Sequence, residues 1–182
     1  MSDRIDRIVT PYEDGGAQIV WDPAEPIEAP LRLHRARVKP EWVDYNGHMS
    51  ESCYLLAFGD SADAFFRLIG IDAAYRASGR SLYTVETHMH NRREVSEGET
   101  VELMLQLLDH DRKRVHIFHE MRHGDDGALL ATAEQLLVHV DMGEGRSSDI
   151  APEVAERIAA IRTAHAGLPT PDGVGRPMGI RR

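Results

Sequence analysis

The sequence predicts an α+β fold in which one antiparallel sheet wraps a long central helix, with an extended arm before it and a helix and tail after it. Three observations carry this expectation. The stretch from Ser50 to Ile69 is helical in spacing but apolar over most of its circumference, so it needs burial on nearly every side. One strand-like stretch precedes it and four long, β-rich stretches follow it, divided by turn residues. Proline and glycine gather at both ends of the chain.

Residues 1–30 carry Pro11, Gly15, Gly16, Pro23, Pro26 and Pro30, which marks an arm with one short strand expected at 17–21. The wrapped domain is expected over 31–141. Leu31 and Leu33 alternate with Arg32 and His34 in a strand that should stop at Pro40, which has no N–H for a ladder. Ser50 is a suitable N-cap, Glu51 complements the dipole, and Gly70 ends the helix. Within it, Asp60, Asp63 and Arg67 are expected to form one polar stripe. Residues 72–78 read as a helical turn that Gly79 lets the chain leave.

Strands are expected at 81–92, 100–108, 114–122 and 129–141. Reversals at Gly98, at the charged turn 109–112 and at Gly124-Asp125-Asp126-Gly127 make them an antiparallel meander. The final segment, 142–182, holds a helix over 152–165 with Val154, Ile158 and Ile161 on one face, then a Pro- and Gly-rich tail, open or draped over the surface.

Composition excludes several functions. The formal charge of −9 and the lack of a basic run interleaved with aromatics argue against nucleic-acid binding. No stretch approaches the roughly 20 apolar residues that span a bilayer, and residues 1–10 do not build a signal-peptide core, so a cytoplasmic protein is expected. The one cysteine, Cys53, sits among Tyr54, Leu55 and Leu56 and reads as a small buried hydrophobe. Of the ten histidines, His88 and His90 share a strand face, but two imidazoles without a third ligand do not make a metal site. No metal and no cofactor are expected.

The chemistry concentrates in Trp42-Val43-Asp44-Tyr45-Asn46-Gly47-His48-Met49-Ser50, a turn that empties into the long helix. Free N–H groups and the positive end of the dipole there can meet developing negative charge. Asn46 and His48 follow Asp44 at i+2 and i+4, so an irregular turn could aim all three into one space. Asn46 could orient a water or a carbonyl, and His48 could protonate a leaving group or hold the loop. The plain alternative for Asp44 is that it caps its own turn. Glu86 is the other acid of interest: strict alternation puts it with Thr84, His88 and His90, opposite Tyr83, Val85, Thr87 and Met89. It then points to a subunit seam or an acyl pocket, unless it pairs with an arginine. Glu134 poses the same question.

One strand, a buried helix and four antiparallel strands, together with Pro-Glu-Trp-Val-Asp-Tyr-Asn-Gly-His-Met at 40–49, Phe58-Gly59-Asp60, Tyr83-Thr84-Val85-Glu86-Thr87-His88 and Leu137-Val138-His139-Val140-Asp141, carry a resemblance. The chain resembles the hotdog-fold acyl-CoA thioesterases of the 4-hydroxybenzoyl-CoA thioesterase type, and among them the betainyl-CoA thioesterases of carnitine breakdown. The resemblance implies hydrolysis of a short acyl-CoA thioester, with Asp44 at the family's acidic position as nucleophile or general base. It implies a homodimer or dimer of dimers with sites where subunits meet, and for such a thioester one or two backbone N–H groups from Met49 to Ser52 at the helix start are aimed as oxyanion donors.

For a quaternary ammonium substrate, Trp42, Tyr45, Tyr54 and Tyr83 could supply aromatic faces, with Glu86 or Asp60 adding charge. Arg76, Arg80, Arg92, Arg93, Arg112, Lys113 and Arg114 could meet CoA phosphates. Rival readings are a thioesterase for another small or aromatic acyl group, a hotdog enoyl-CoA hydratase or dehydratase, and a non-catalytic acyl-CoA-binding module. The Asp-Tyr-Asn-Gly-His turn, with no His-Phe-Pro type segment, argues against the hydratase.

Overall fold

In the computed structural model, which describes residues 8–13 and 19–179, every long element predicted over 31–165 is present within a few residues. In chain order they are β1 (Leu31–Arg37), a 3-10 turn (Pro40–Trp42), α1 (Glu51–Ile69), α2 (Ala73–Ala77), β2 (Arg80–Asn91), β3 (Thr100–His110), β4 (Arg114–His123), β5 (Leu129–Asp141), a short β6 (Arg146–Ser147), α3 (Pro152–Ala164) and a 3-10 turn (His165–Gly167). Residues 19–21 are not a strand, and 17 and 18 of the segment expected there lie outside the described residues. Among the described residues, no helix is long and apolar enough to cross a membrane.

The sheet runs in the order β1-β3-β4-β5-β2, antiparallel throughout, with β6 pairing β5 beyond the end of β4. Only β3, β4 and β5 form a meander, so the expected four-strand meander is corrected at β2. Residues 92–99, which join β2 to β3, are too many for a tight hairpin. They cross the end of the sheet instead: the Arg92 and Arg93 N–H groups donate to the Leu130 carbonyl at the start of β5, and on the far side Gly98 N–H donates to the Val38 carbonyl while Val38 N–H donates to that of Glu99. The strand that follows α1 therefore ends on the opposite edge from β1.

The helix α1 lies along the inner face of the curved sheet. Ala57, Phe58, Phe65 and Ile69 are fully buried, packed in two clusters with Val101, Leu103, Leu105, Ile117, Met121 and Leu137. Each large side chain so enclosed contributes on the order of 1.5–3 kcal/mol. Val154, Ile158 and Ile161 of α3 close the Ile69 end. This is the hotdog arrangement.

The polar stripe expected on α1 is broken at Asp60. Asp63 and Arg67 pair at 3.0 Å, one turn apart, but Asp60 is only 6% exposed and faces β1, its Oδ2 3.9 Å from His34 Nε2. Tyr12 of the arm closes this contact, its hydroxyl donating to the Leu33 carbonyl at 2.8 Å and lying 2.8 Å from His34 Nδ1. Burial, then the charge of Asp63, pushes Asp60 up to about 6. Burial pulls His34 down to about 4.

A second correction concerns β2. Its register shifts between Thr84 and Glu86, so Val85 is bulged. Ahead of the bulge Leu82 and Thr84 face inward, opposite His139 and Leu137; beyond it Thr87 and Met89 do, opposite Gln135 and Ala133. One extra residue reverses the parity of a strand. Tyr83 thereby shares the outer face with Glu86, His88 and His90.

The tail is draped over that outer face. Buried His165 accepts the Leu107 N–H on Nδ1 at 2.9 Å, and its Nε2 lies 3.0 Å from the Glu28 carbonyl. Gln106 Nε2 donates to the Pro169 carbonyl at 3.3 Å, and Gly175 N–H donates to Glu134 at 2.8 Å. Leu168, Pro169 and Pro171 cover buried Phe118.

Candidate active site

The turn before α1 is a small hairpin. Asp44 N–H donates to the His48 carbonyl at 3.0 Å, Val43 bridges Met49, and Ser50 N–H donates to the Trp42 carbonyl at 2.8 Å. Gly47 closes the reversal at φ 81°, a left-handed conformation that glycine adopts without steric cost. The second arm is pinned again by the crossing connection, through a His48–Ser96 bridge and Met49 N–H donating to the Val95 carbonyl at 2.8 Å. These bonds deliver Ser50 to the first turn of α1.

At that turn the helix keeps open donors. Ser50 is the N-cap residue, as expected, but its side chain caps nothing; its Oγ sits 3.3 Å from Ser52 Oγ. Cys53 and Tyr54 N–H turn back to the Ser50 carbonyl at 2.9 and 3.4 Å. The Glu51 and Ser52 N–H groups take no acceptor among the described residues. They carry the positive end of the helix dipole, about half an elementary charge.

Asp44 is half-buried beside this opening. Its Oδ1 accepts the Asn46 N–H at 2.8 Å, the turn-capping bond. Among the described residues its Oδ2 has no hydrogen-bond partner, so the cap occupies one oxygen and leaves the other. Asp44 stands two residues along the ladder from Trp42, the partner of Ser50, a span of about 7 Å. The hairpin thus leads from a carboxylate with one unbonded oxygen to the uncapped amides at the start of α1.

The other predicted residues divide. Asn46 is exposed and Tyr45 is 96% exposed; both border the opening. His48 is half-buried, with Nδ1 3.5 Å from Glu94 Oε2. Trp42, Met49 and Tyr54, expected at the substrate, belong to the core around Phe58, and the Lys39 ammonium lies 5.3 Å over the Trp42 ring. Tyr54 donates its hydroxyl to the Arg93 carbonyl at 3.2 Å. Its pKa is raised first by burial, with a backbone bond at Val95 opposing and the charge of Glu94 adding.

Tyr83 and Glu86 are not brought to the turn. The β2 bulge puts both on the outer face, where Glu86 lies 2.9 Å from His88 Nε2 and Glu134 lies 2.8 Å from His116 Nε2. All four of these charged or titratable groups, with Arg176 of the tail, line a cavity of about 490 Å³. Glu86 thus lines a cavity on the face away from the turn, and its partner is a histidine rather than the arginine considered above. Among the described residues no group of three or more His, Cys, Asp and Glu side chains could hold a metal ion.

The basic residues proposed for phosphates are mostly paired: Arg76 with Glu13 (3.8 Å), Arg92 with Asp172 (3.7 Å), Arg93 with Asp126 (3.0 Å), Arg112 and Lys113 with Asp149 (3.4 and 3.9 Å) and Arg114 with Asp111 (2.5 Å). Glu94 is the residue that sequence reasoning missed. Nothing local marks it, because only the crossing of 92–99 over the sheet end brings it to His48.

A model of the thioesterase-like superfamily matches residues 38–158, the hairpin, the helix and the whole sheet beyond it. The chain belongs to the thioesterase-like superfamily. This thioesterase-like chain is 46% identical over 151 residues to the betainyl-CoA thioesterase of Pseudomonas aeruginosa, covering 82% of this chain and 95% of that protein. It is 43% identical over 173 residues to the L-carnitine dehydrogenase/betainyl-CoA thioesterase of Rhizobium meliloti, covering 94% of this chain but 34% of that longer protein. A crystal structure from Pseudomonas putida KT2440 matches at TM-score 0.74 and 33% identity, over 84% of this chain and 98% of the other. A Staphylococcus aureus protein solved in complex with CoA matches at TM-score 0.79 and 24% identity, over 86% and 100%, and shows the shared fold.

Proposed function

We propose that the protein hydrolyses a short acyl-CoA thioester, betainyl-CoA foremost, to the free acid and CoA, and that it does so in the cytoplasm as a homodimer. The observation that carries the reading is the hairpin that feeds α1: Asp44 on it keeps one oxygen unbonded, and the Glu51 and Ser52 N–H groups where it ends take no acceptor among the described residues. The relatives named above support the acyl group.

The thioester oxygen lies toward the two amides, which stabilise the tetrahedral oxyanion; one such donor is worth about 3 kcal/mol in enzymes where it has been removed. Asp44 attacks the carbonyl carbon to give an anhydride that water then cleaves, or it takes a proton from the attacking water. In either case the C–S bond breaks, the electron pair leaves on sulfur, and the thiolate gains a proton. Asn46 orients water or carbonyl at the rim, and His48 holds the loop through its bridge to Ser96.

The dimer is supported by the edge of β2, which pairs on one side only among the described residues and where Tyr83 and Val85 are exposed, with Leu55 of α1 exposed as well. A long unpaired edge with apolar side chains calls for a cover, and a second copy would also wall the opening around Tyr45.

A thiol-release screen across betainyl-, acetyl-, benzoyl- and long-chain acyl-CoA tests the activity. Release of CoA fastest from betainyl-CoA is the expected result. No thiol from any substrate, despite saturable binding, would make the protein a binding module. Loss of enoyl absorbance from crotonyl-CoA without thiol would make it a hydratase.

A further inference from the structure

The acyl group of betainyl-CoA bears a fixed positive charge, and the residues expected to meet it do not stand where it must lie. Its nitrogen is two bonds from the carbonyl carbon, about 2.5 Å. Once that carbonyl sits at the first amides of α1, the cation is confined to the hairpin mouth. Asp60 is about 13 Å further along the helix axis at 1.5 Å per residue, and it is buried against β1. Glu86 and Tyr83 are on the outer face of the sheet. Trp42 already lies under the Lys39 ammonium.

One carboxylate is delivered to the mouth by the tertiary structure alone. Segment 93–96 runs beside 48–49, fixed by the Met49–Val95 bond and the His48–Ser96 bridge, and it sets Glu94 Oε2 3.5 Å from His48 Nδ1. Its neighbours do not neutralise it. Arg92 and Arg93 reach away to Asp172 and Asp126. Glu99, another acid of this connection, is engaged by the Ser96 N–H at 2.6 Å and by His123 at 3.4 Å. Glu94 keeps a largely exposed carboxylate with one imidazole as partner.

We propose that Glu94 selects the cationic acyl group: standing beside His48 at the entrance to α1, its carboxylate pairs with the quaternary ammonium. This rests on the betainyl-CoA reading above. Asp44 is left to act on the carbonyl, and Glu94 contributes charge and no covalent step. Glu94 is thus a specificity residue, and its effect follows the charge of the substrate.

The experiment compares betainyl-CoA with 3,3-dimethylbutanoyl-CoA, which has the same shape with carbon in place of nitrogen. kcat/KM is measured for both in the wild type, Glu94→Gln, Glu94→Lys and, as a control on the same connection, Glu97→Gln. The wild type should prefer the cation. Glu94→Gln should cut that preference about tenfold through KM, in line with one partly solvated charge pair, and leave the neutral substrate nearly unchanged. Glu94→Lys should favour the neutral substrate, and Glu97→Gln should behave as wild type.

An equal fall for both substrates in Glu94→Gln would show that Glu94 only positions His48, and would overturn the proposal. So would an unchanged preference. A wild type indifferent to substrate charge would instead sink the betainyl-CoA reading itself, and Glu94 selection with it.

Discussion

Replacing Asp44 by asparagine separates the two things this side chain does. Its Oδ1 accepts the Asn46 N–H at 2.8 Å, and an asparagine Oδ1 can accept the same bond, so the turn survives and stability should change by less than about 0.5 kcal/mol. What disappears is the charge and the unbonded second oxygen. Loss of a positioned base or nucleophile of this kind costs roughly 10²–10⁴ in turnover, which is about 3–5.5 kcal/mol at 1.36 kcal/mol per tenfold. Asp44→Ala should lose the same turnover and, in addition, the turn bond, about 1 kcal/mol of stability. Thiol release gives kcat for each variant, and urea unfolding gives the stability. Asp44→Asn retaining turnover within about threefold of wild type, where a factor of at least 10² is expected, would refute the assignment of chemistry to Asp44. Equal destabilisation in the two variants would refute the separation of roles.

Two further predictions concern the turn and the core. Gly47 has φ 81°, and a Cβ there would meet nothing within 4 Å, so Gly47→Ala costs only backbone strain, about 1–2 kcal/mol. Gly127, with φ 68° and the same open surroundings, pays a similar cost far from α1. Only the Gly47 variant should lose kcat/KM; equal activity in both would show that the hairpin geometry does not matter.

His119 is fully buried, with Nε2 3.1 Å from Gln135 Oε1 and Nδ1 unpartnered, and burial holds it down to about 4. Because the folded value lies below the ordinary 6.5, its contribution is complete above about pH 6.5 and is lost toward pH 4, at about 1.4 kcal/mol per pH unit. His34, also held near 4, loses stability in the same direction, whereas Asp60, raised to about 6, gains it as pH falls from 6 toward 3.8. These two offset each other. His119→Phe should therefore flatten the fall of unfolding free energy between pH 6 and pH 4.5 by about 1.4 kcal/mol per unit, and an unaltered slope would contradict a neutral buried imidazole.

Much of the fold was legible because its signals are local. The apolar circumference of 50–69, Gly70 in the left-handed conformation and the limits 129–141 of β5 all follow from neighbouring residues. The Asp44-to-Gly47 turn is equally local, since the Asp side chain bonds its own backbone two residues on. Side-chain fate was less legible. Trp42, Met49 and Tyr54 look alike as pocket or core residues in one dimension, and the packing around Phe58 decides for core.

By itself, the sequence determined the helix, the strands, the Asp44-to-Gly47 turn and its entry into α1, because backbone propensity, capping and side-chain periodicity act over a few residues. Only the tertiary structure decided which edge β2 joins, which face Glu86 and Tyr83 occupy after the Val85 bulge, that Asp60 is buried against His34, and that Glu94 reaches His48. Those outcomes depend on strand partners and on a chain crossing between residues far apart, where a single inserted residue or a change of edge reverses what faces the site.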